Sequence, residues 1–249
     1  MQEAEGVKEM KAENIDLLVR GFDVFGIELT GKEINIFKHF YKMVIEWNER
    51  INLTAIVDER EAVIKHFIDS VSVIRFFPDD VLSMIDVGTG AGFPGIPIKI
   101  VQNNIHVTLL DSLEKRVRFL NSVINETGLT GIDAIHGRAE DFGQDKEHRE
   151  SYDVGIARAV SPLPVLCEYV MPFVRIGGYF VAMKGSNVKD EISESQKAIS
   201  VLGGEIEDIK NFVLPFDDIE RNVILIKKYR HTPTKYPRKS GKPAKSPLK

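Results

Sequence analysis

The stretch Asp86-Val87-Gly88-Thr89-Gly90-Ala91-Gly92-Phe93-Pro94-Gly95 sets four glycines between a short apolar run, 82–87, and a helix-length segment. Strand, glycines, helix is a ligand-binding turn. Glycine permits positive φ and close backbone approach, a helix N-terminus presents free N–H groups, and ligands of open α/β sheets sit beyond the carboxyl ends of the strands. Residues 90–95 also fit the dinucleotide pattern G-x-G-x-x-G, which is weak by itself. Asp111 closes the next apolar run 19 residues beyond Gly92, where a carboxylate can accept both ribose hydroxyls of an adenosine. Asp86, just before the glycines, would repel a pyrophosphate but suits the ammonium of an amino-acid-bearing adenosine.

The periodicity on either side of this turn sets the fold class. Up to residue 80 the pattern is helical: Ile15, Leu18, Val19 and Phe22 share one face, and Thr30 to Glu33 forms a capping box ahead of Phe37, Phe40, Tyr41, Val44 and Ile45. A break at Trp47-Asn48 through Ile56 precedes a third amphipathic helix ending before Pro78. Strands are expected at 82–87, 106–111, 131–136, 152–158, 178–184, 204–213 and 221–229. Helices are expected at 95–102, 113–127, 162–174 and 188–201. Alternation through the fifth strand predicts a doubly wound parallel α/β sheet. About seven residues separate the sixth and seventh strands, too few for a crossover helix, so that pair must be an antiparallel hairpin. The expected organisation is a helical extension over 1–80, a ligand-binding domain over 81–230 and a tail over 231–249.

Charge separates the tail from the rest. The formal net charge is −4, yet from Lys227 onward there are nine Lys or Arg and no acidic residue, against 24 basic and 37 acidic residues before it. Four of the eleven prolines (Pro233, Pro237, Pro243, Pro247) fall there as well, so the last 15 or so residues read as disordered and unable to form a helix. A basic disordered tail is either a nucleic-acid arm or a solubilising end without a partner. Met1-Gln2-Glu3-Ala4-Glu5 lacks the pattern of a signal peptide, and no apolar run approaches the roughly 20 residues of a membrane span. A cytoplasmic protein, away from membranes, is therefore expected. One cysteine, Cys167, excludes an internal disulfide and a thiolate zinc site, and no metal is expected.

The glycine loop, Asp111 and the terminal hairpin resemble a class I S-adenosylmethionine-dependent methyltransferase, with a Rossmann-like seven-stranded, mostly parallel sheet. Arg138-Ala139-Glu140-Asp141 resembles that family's segment lining the adenine. The target chemistry narrows by elimination. Amine methylation usually draws on an Asn/Asp-Pro-Pro-aromatic tetrad after the fourth strand, where this chain reads Ala157-Arg158-Ala159-Val160. Pyrimidine C5 methylation needs a nucleophilic cysteine, whereas Cys167 lies mid-helix among Val165, Leu166 and Val170 and reads as a buried small hydrophobe. A nucleophile with its own lone pair, such as guanine N7, needs no base, only alignment with the methyl.

More specific segments point further: Trp47-Asn48 with Ile51 to Ala55, Lys65-His66-Phe67-Ile68-Asp69-Ser70, Gly92 to Pro97, Leu110 to Leu120, Ser161, and Met183-Lys184-Gly185. Over roughly residues 30–228 the chain resembles the bacterial small-subunit rRNA methyltransferase G family, also known as the glucose-inhibited division protein B family. The resemblance implies N7 methylation of a guanine in the 530 loop of 16S rRNA. It implies cofactor contacts at Gly88, Phe93, Asp111, Ala139, Glu140 and Arg158, with Ser112 and Leu113 beside them. Lys115, Arg116, Arg138 and Lys184 are then the RNA-facing cations, with a solvated helix face as the alternative for Lys115, Arg116 and Arg118. Arg158 and Lys184 are the positioning residues, read as exposed charges at adjacent strand ends that could hold the methionine carboxylate or an RNA phosphate. His66 and Asp69 read as capping or core hydrogen-bonding groups. The partner is 16S rRNA or the small subunit, and the chain is expected to be a monomer. Two other classes stay open: an NAD-dependent dehydrogenase, and a noncatalytic RNA-binding module that leaves Asp111 dispensable. A methyltransferase acting on a different RNA is a third alternative.

Overall fold

The computed structural model describes residues 9–158, 161–186 and 188–248. Residues 1–5, Ala159, Val160 and Lys249, on which parts of the sequence reading rest, lie outside the described residues. The N-terminal region holds α1 (Ala12–Asp23) and α2 (Gly31–Ile51), then α3 (Glu59–Ala62), a π-helical turn (Val63–Ile68), α4 (Asp69–Val71) and a 3-10 turn (Ile74–Phe76). After these come β1 (Ser83–Val87), α5 (Gly95–Val101), β2 (His106–Asp111), α6 (Glu114–Thr127), β3 (Ile132–His136), α7 (Ala139–Phe142) and β4 (Tyr152–Arg158). The chain continues through α8 (Leu163–Val170), β5 (Val174–Lys184), α9 (Lys189–Val201), β6 (Gly204–Val213), β7 (Glu220–Lys228) and α10 (Lys242–Lys245).

The seven strands form one sheet in the order β3-β2-β1-β4-β5-β7-β6. The first five are parallel, and β7 runs antiparallel to both β5 and β6. This is the class I methyltransferase arrangement, terminal hairpin included. Among the described residues no helix is long and apolar enough to cross a membrane.

Local chemistry explains the element ends. The capping box at Thr30 and Glu33 forms as the sequence predicts, each satisfying the other's backbone N–H. The break expected at Trp47-Asn48 lies instead within α2, which runs on to Ile51 and stops where Asn52 takes φ 50°. The helix expected over 162–174 ends at Val170, because the chain turns at Met171 into a strand that starts four residues earlier than the apolar run suggested.

Helices cover both faces of the sheet. On one face α1, α2 and the π turn pack with α5 and α6, centred on Phe22, Phe37, Phe40, Phe67 and Phe119, all at most 1% exposed. Ring centroids there approach to 5.1 Å for Phe22–Phe37 and for Phe37–Phe67. Each such burial stabilises the fold by about 1.5–3 kcal/mol, so the N-terminal helices share one core with the sheet. On the other face Leu166, Cys167, Val170, Phe173 and Ile199 form a second core that also takes in Tyr236.

Tyr236 belongs to the tail, and here the structure corrects the sequence reading. Residues 231–248 lie against the body, with Thr232, Tyr236, Pro237 and Pro243 buried, and Lys242–Lys245 forms a helical turn despite its proline. Pro243 sits in the first turn of α10, where no backbone donor is lost, which is why the proline content did not forbid a helix. Arg238 makes the anchor: its Nε and Nη2 donate to the two oxygens of Glu168 at 2.8 and 2.6 Å.

Candidate functional site

The glycine loop follows β1 and carries positive φ at Gly88 (74°), Gly90 (63°) and Gly92 (90°). Two buried carboxylates hold it. Asp86 Oδ2 accepts from Thr89 Oγ1 at 2.7 Å and from Gly95 N at 2.9 Å. Gly95 must lack a side chain, since a Cβ would stand 2.3 Å from Leu109 Cδ2 and 2.9 Å from Asp86 Oδ2. Asp111 Oδ2 accepts from Gly90 N at 2.9 Å, and Oδ1 accepts from Leu113 N at 2.9 Å. Burial pushes the Asp86 carboxyl up to about 6. Its Oδ1 has no hydrogen-bond partner among the described residues, as is true of Arg116 Nε. A buried carboxylate oxygen left unpaired suits an incoming cationic donor such as an ammonium.

Two cavities open along the carboxyl ends of the strands. The first, about 290 Å³, lies over β1, β2 and β3 and is lined by Gly88, Leu110, Ser112, Arg138, Ala139 and Glu140. The second, about 400 Å³, lies over β4 and β5 and is lined by Lys65, His66, Asp69, Arg158, Met183, Lys184 and Arg221. Because β1 and β4 are neighbours, the two cavities follow one continuous edge of the sheet. Four cations line the second: Arg158 and Arg221 share Asp69, whereas Lys65 and Lys184 pair with Glu61 and Glu191.

The structure brings Gly88, Ser112, Arg138, Ala139 and Glu140 together at the first cavity and Arg158 and Lys184 at the second. Other expected residues stand differently. Asp111 is 3% exposed, with Oδ2 accepting from Gly90 N and Oδ1 from Leu113 N, so it ties the glycine loop to the start of α6. Phe93, expected at the cofactor, is 7% exposed and packed between Phe40 and the His66 ring, with the Arg158 guanidinium 5.3 Å from its centroid. Leu113 and Lys115 are exposed at the start of α6, outside the linings of these two cavities. Arg116, expected to face RNA, turns back to Asp111 Oδ2 at 3.4 Å.

Arg158 and Lys184 are not exposed charges. Arg158 donates to Asp69 Oδ2 and to Lys65 O, both at 3.1 Å, and Lys184 Nζ reaches Ser161 O at 2.8 Å and Glu191 Oε2 at 2.7 Å. Their side chains are 14% and 9% exposed. Asp69 also accepts from Arg221 Nε at 2.8 Å, so it ties α4 to β4 and β7. His66 stacks on Phe93 with centroids 4.3 Å apart and planes within 12°. Burial, followed by the Arg158 charge, holds His66 down at about 3, so its ring is neutral near pH 7. Arg158 Nη2 approaches His66 Nδ1 at 3.4 Å as a donor, which leaves Nε2–H for Thr54 Oγ1 at 2.9 Å. Burial also pushes the Cys167 thiol far above its usual range, which removes it as a nucleophile.

Sequence reasoning missed Tyr169, Gly241 and Ala244 in the first cavity and Arg221 in the second. For Arg221 a signal existed: an antiparallel β7 beside β5 must start where β5 ends, and Lys184 pairs with Asn222.

Comparison with known proteins agrees with this geometry. Residues 33–224 match the family described as rRNA small subunit methyltransferase G. A ribosomal RNA small subunit methyltransferase G from Acetivibrio thermocellus is 55% identical over 97% of this chain and 98% of its own length. One of the same description from Alkaliphilus oremlandii is 49% identical, covering 94% of this chain and 98% of that one. Among solved structures the cyclase SpnF superposes with a TM-score of 0.53 at 12% identity, over 71% of this chain and 84% of that one, a likeness of fold alone. With the family match spanning most of the sheet, the whole lining of the second cavity and that of the first except Gly241 and Ala244, the chain belongs to the rRNA small subunit methyltransferase G family.

Proposed function

We propose that the protein transfers the methyl group of S-adenosylmethionine to N7 of a guanine in the 530 loop of 16S rRNA, releasing S-adenosylhomocysteine. It is an S-adenosylmethionine-dependent rRNA methyltransferase by family. The observation that carries the reading is the pair of cavities along one sheet edge: a glycine-loop pocket for an adenosine, and beside it a cationic pocket for a nucleotide.

In this reading Gly88, Ser112, Ala139 and Glu140 border the adenosine, Asp111 holds the loop in shape, and the unpaired Asp86 oxygen is assigned to the ammonium of the amino-acid end. S-adenosylmethionine supplies a methyl made electrophilic by its sulfonium. Guanine N7 carries a lone pair and loses no proton, so the residues around the second cavity need only place it in line with the methyl and exclude water. Neutral His66 fits that demand, because a group that binds its proton only near pH 3 is no general acid at neutral pH. Arg158 acts by fixing the β4 end against Asp69, while the surrounding cations offer contacts to RNA phosphate.

The test is methyl transfer from labelled S-adenosylmethionine to 16S rRNA or small subunits with mapping of the labelled base. Label at guanine N7 in the 530 loop is the expected result, and label elsewhere would refute the target. Asp111→Ala should weaken cofactor binding by about 1.5–3 kcal/mol, roughly 10- to 150-fold, through loss of charged hydrogen bonds that shape the loop.

A further inference from the structure

The residues beyond β7 fold back over the side of the molecule that carries α7 and α8. Arg149 donates to the carbonyls of Thr232 and Tyr236 at 2.6 and 2.9 Å, and Gln144 Nε2 donates to Pro237 O at 3.0 Å. Arg238 then grips the fully buried Glu168 with two nitrogens. That much fastens the segment. Past the anchor the chain carries little apolar cargo: of residues 239–246 only Pro243 is buried. The contacts of this stretch go instead to the wall of the first cavity. Gly241 N donates to Glu140 Oε1 at 2.9 Å, Arg138 Nη1 donates to Ser240 Oγ at 2.8 Å, and Gly241 and Ala244 line the cavity alongside Gly88, Ser112 and Ala139. Gly241 has φ 78°, a conformation glycine adopts without strain, and this delivers its N–H to the carboxylate.

We propose that residues 239–246 are part of the S-adenosylmethionine site: they form the outer wall of its adenosine end and hold the Glu140 carboxylate in place. The proposal rests on the reading that the cavity over β1 to β3 takes the adenosine. A wall held by polar contacts to the pocket, and by little burial of its own, gains contacts when a ligand fills the space beside it. Ligand and wall therefore stabilise one another, and the linkage is reciprocal.

Hydrogen exchange of the amides of 239–246 in the full-length protein, with and without saturating S-adenosylhomocysteine, tests this directly. Exchange should slow by roughly tenfold or more with the ligand, as for a segment shifted toward its closed form; unchanged exchange overturns the proposal. A chain ending at Arg238 keeps the anchor and should bind S-adenosylhomocysteine roughly tenfold more weakly by calorimetry, a change of about 1.4 kcal/mol. Equal affinity in that folded chain also overturns it. The exchange measurement needs no variant and so decides the matter even where the shortened chain does not fold. Asp111→Ala separates the two levels: full affinity in that variant removes the adenosine placement itself, whereas a normal loss there with no response from 239–246 removes only the role of this segment.

Discussion

Arg158 Nη1 stands 3.1 Å from Oδ2 of Asp69, a carboxylate 2% exposed that also carries Arg221. Removing one partner of a buried ion pair leaves uncompensated charge, at about 3–5 kcal/mol. Asp69→Ala strands two guanidinium groups, so a stability loss of that order is expected in urea denaturation, together with loss of methyl transfer. Arg158→Ala should likewise lower stability as well as activity. Its position in the sequence suggested an exposed charge that folding could spare, and the two outcomes differ: a variant with wild-type denaturation midpoint but no activity would restore the exposed reading.

The pH dependence of stability contains two opposed contributions. His66 binds its proton at about 3 when folded and near 6.5 when unfolded, so in between the unfolded chain binds more protons and stability falls as pH is lowered from 6.5 toward 3. Asp86 is the reverse: with its folded value at about 6 against 3.8 unfolded, the folded chain binds more protons between those values, and stability falls as pH rises across that window. Each slope has a ceiling of about 1.4 kcal/mol per pH unit. Denaturation midpoints from pH 4 to 7 should therefore steepen toward acid-lability in Asp86→Asn, where the opposing slope is removed, and become less steep in His66→Gln, where the His66 slope is removed. Identical profiles for the two variants would contradict both assignments.

Cofactor affinity reads Asp86 separately. An ionised carboxylate attracts the ammonium of S-adenosylmethionine and a protonated one does not, so calorimetric affinity should fall as pH drops through about 6. In Asp86→Asn the affinity should be lower and its dependence across that range should be lost. A variant that keeps the wild-type pH profile would place the ammonium elsewhere.

Two glycines of the loop fail for different reasons when substituted. At Gly95 a Cβ meets Leu109 and Asp86, and overpacking of this kind costs about 1–3 kcal/mol while displacing the Gly95 N–H from Asp86. At Gly90 a Cβ meets nothing within 4 Å, and only the positive φ is unfavourable, at about 1 kcal/mol. Thermal unfolding should show Gly95→Ala as the more damaging change, with a matching order in cofactor affinity. The opposite order would mean that the loop is limited by strain and not by space.

The sheet was legible because its signals are local. Strand 106–111, strand 152–158 and strand 204–213 coincide with the observed elements, since alternation of short apolar runs with helix-length segments depends on neighbours in sequence. The hairpin followed from chain length between two runs. The lining of the first cavity was legible where it lies next to a strand end, as for Gly88, Ala139 and Glu140. What escaped depends on side-chain pairing, which periodicity does not report whether the partner lies a few residues away or many. Arg116 looks RNA-facing until Asp111 is placed beside it, and Lys184 looks exposed until Glu191 arrives from α9. The tail escaped for the same reason. Composition reported its prolines and lysines, while the buried Glu168 that receives Arg238 lies 70 residues earlier, within a run that reads as core helix.

That correction reshapes what the basic tail does toward RNA. Lys235, Lys239, Lys242 and Lys245 are exposed on a segment whose inner side is fixed to the body, so they form a set patch and not a flexible arm. Neutralised phosphates release counterions, and each contact contributes about 0.7 to 0.9 to the slope of log affinity against log salt. Replacing Lys239, Lys242 and Lys245 with alanine should flatten the salt dependence of RNA binding by up to about three such contributions and raise the apparent KM for RNA. The methylated position should not change, because phosphate contacts orient a nucleic acid without choosing a base. An unchanged salt slope in the triple variant would mark these lysines as a solubilising surface only.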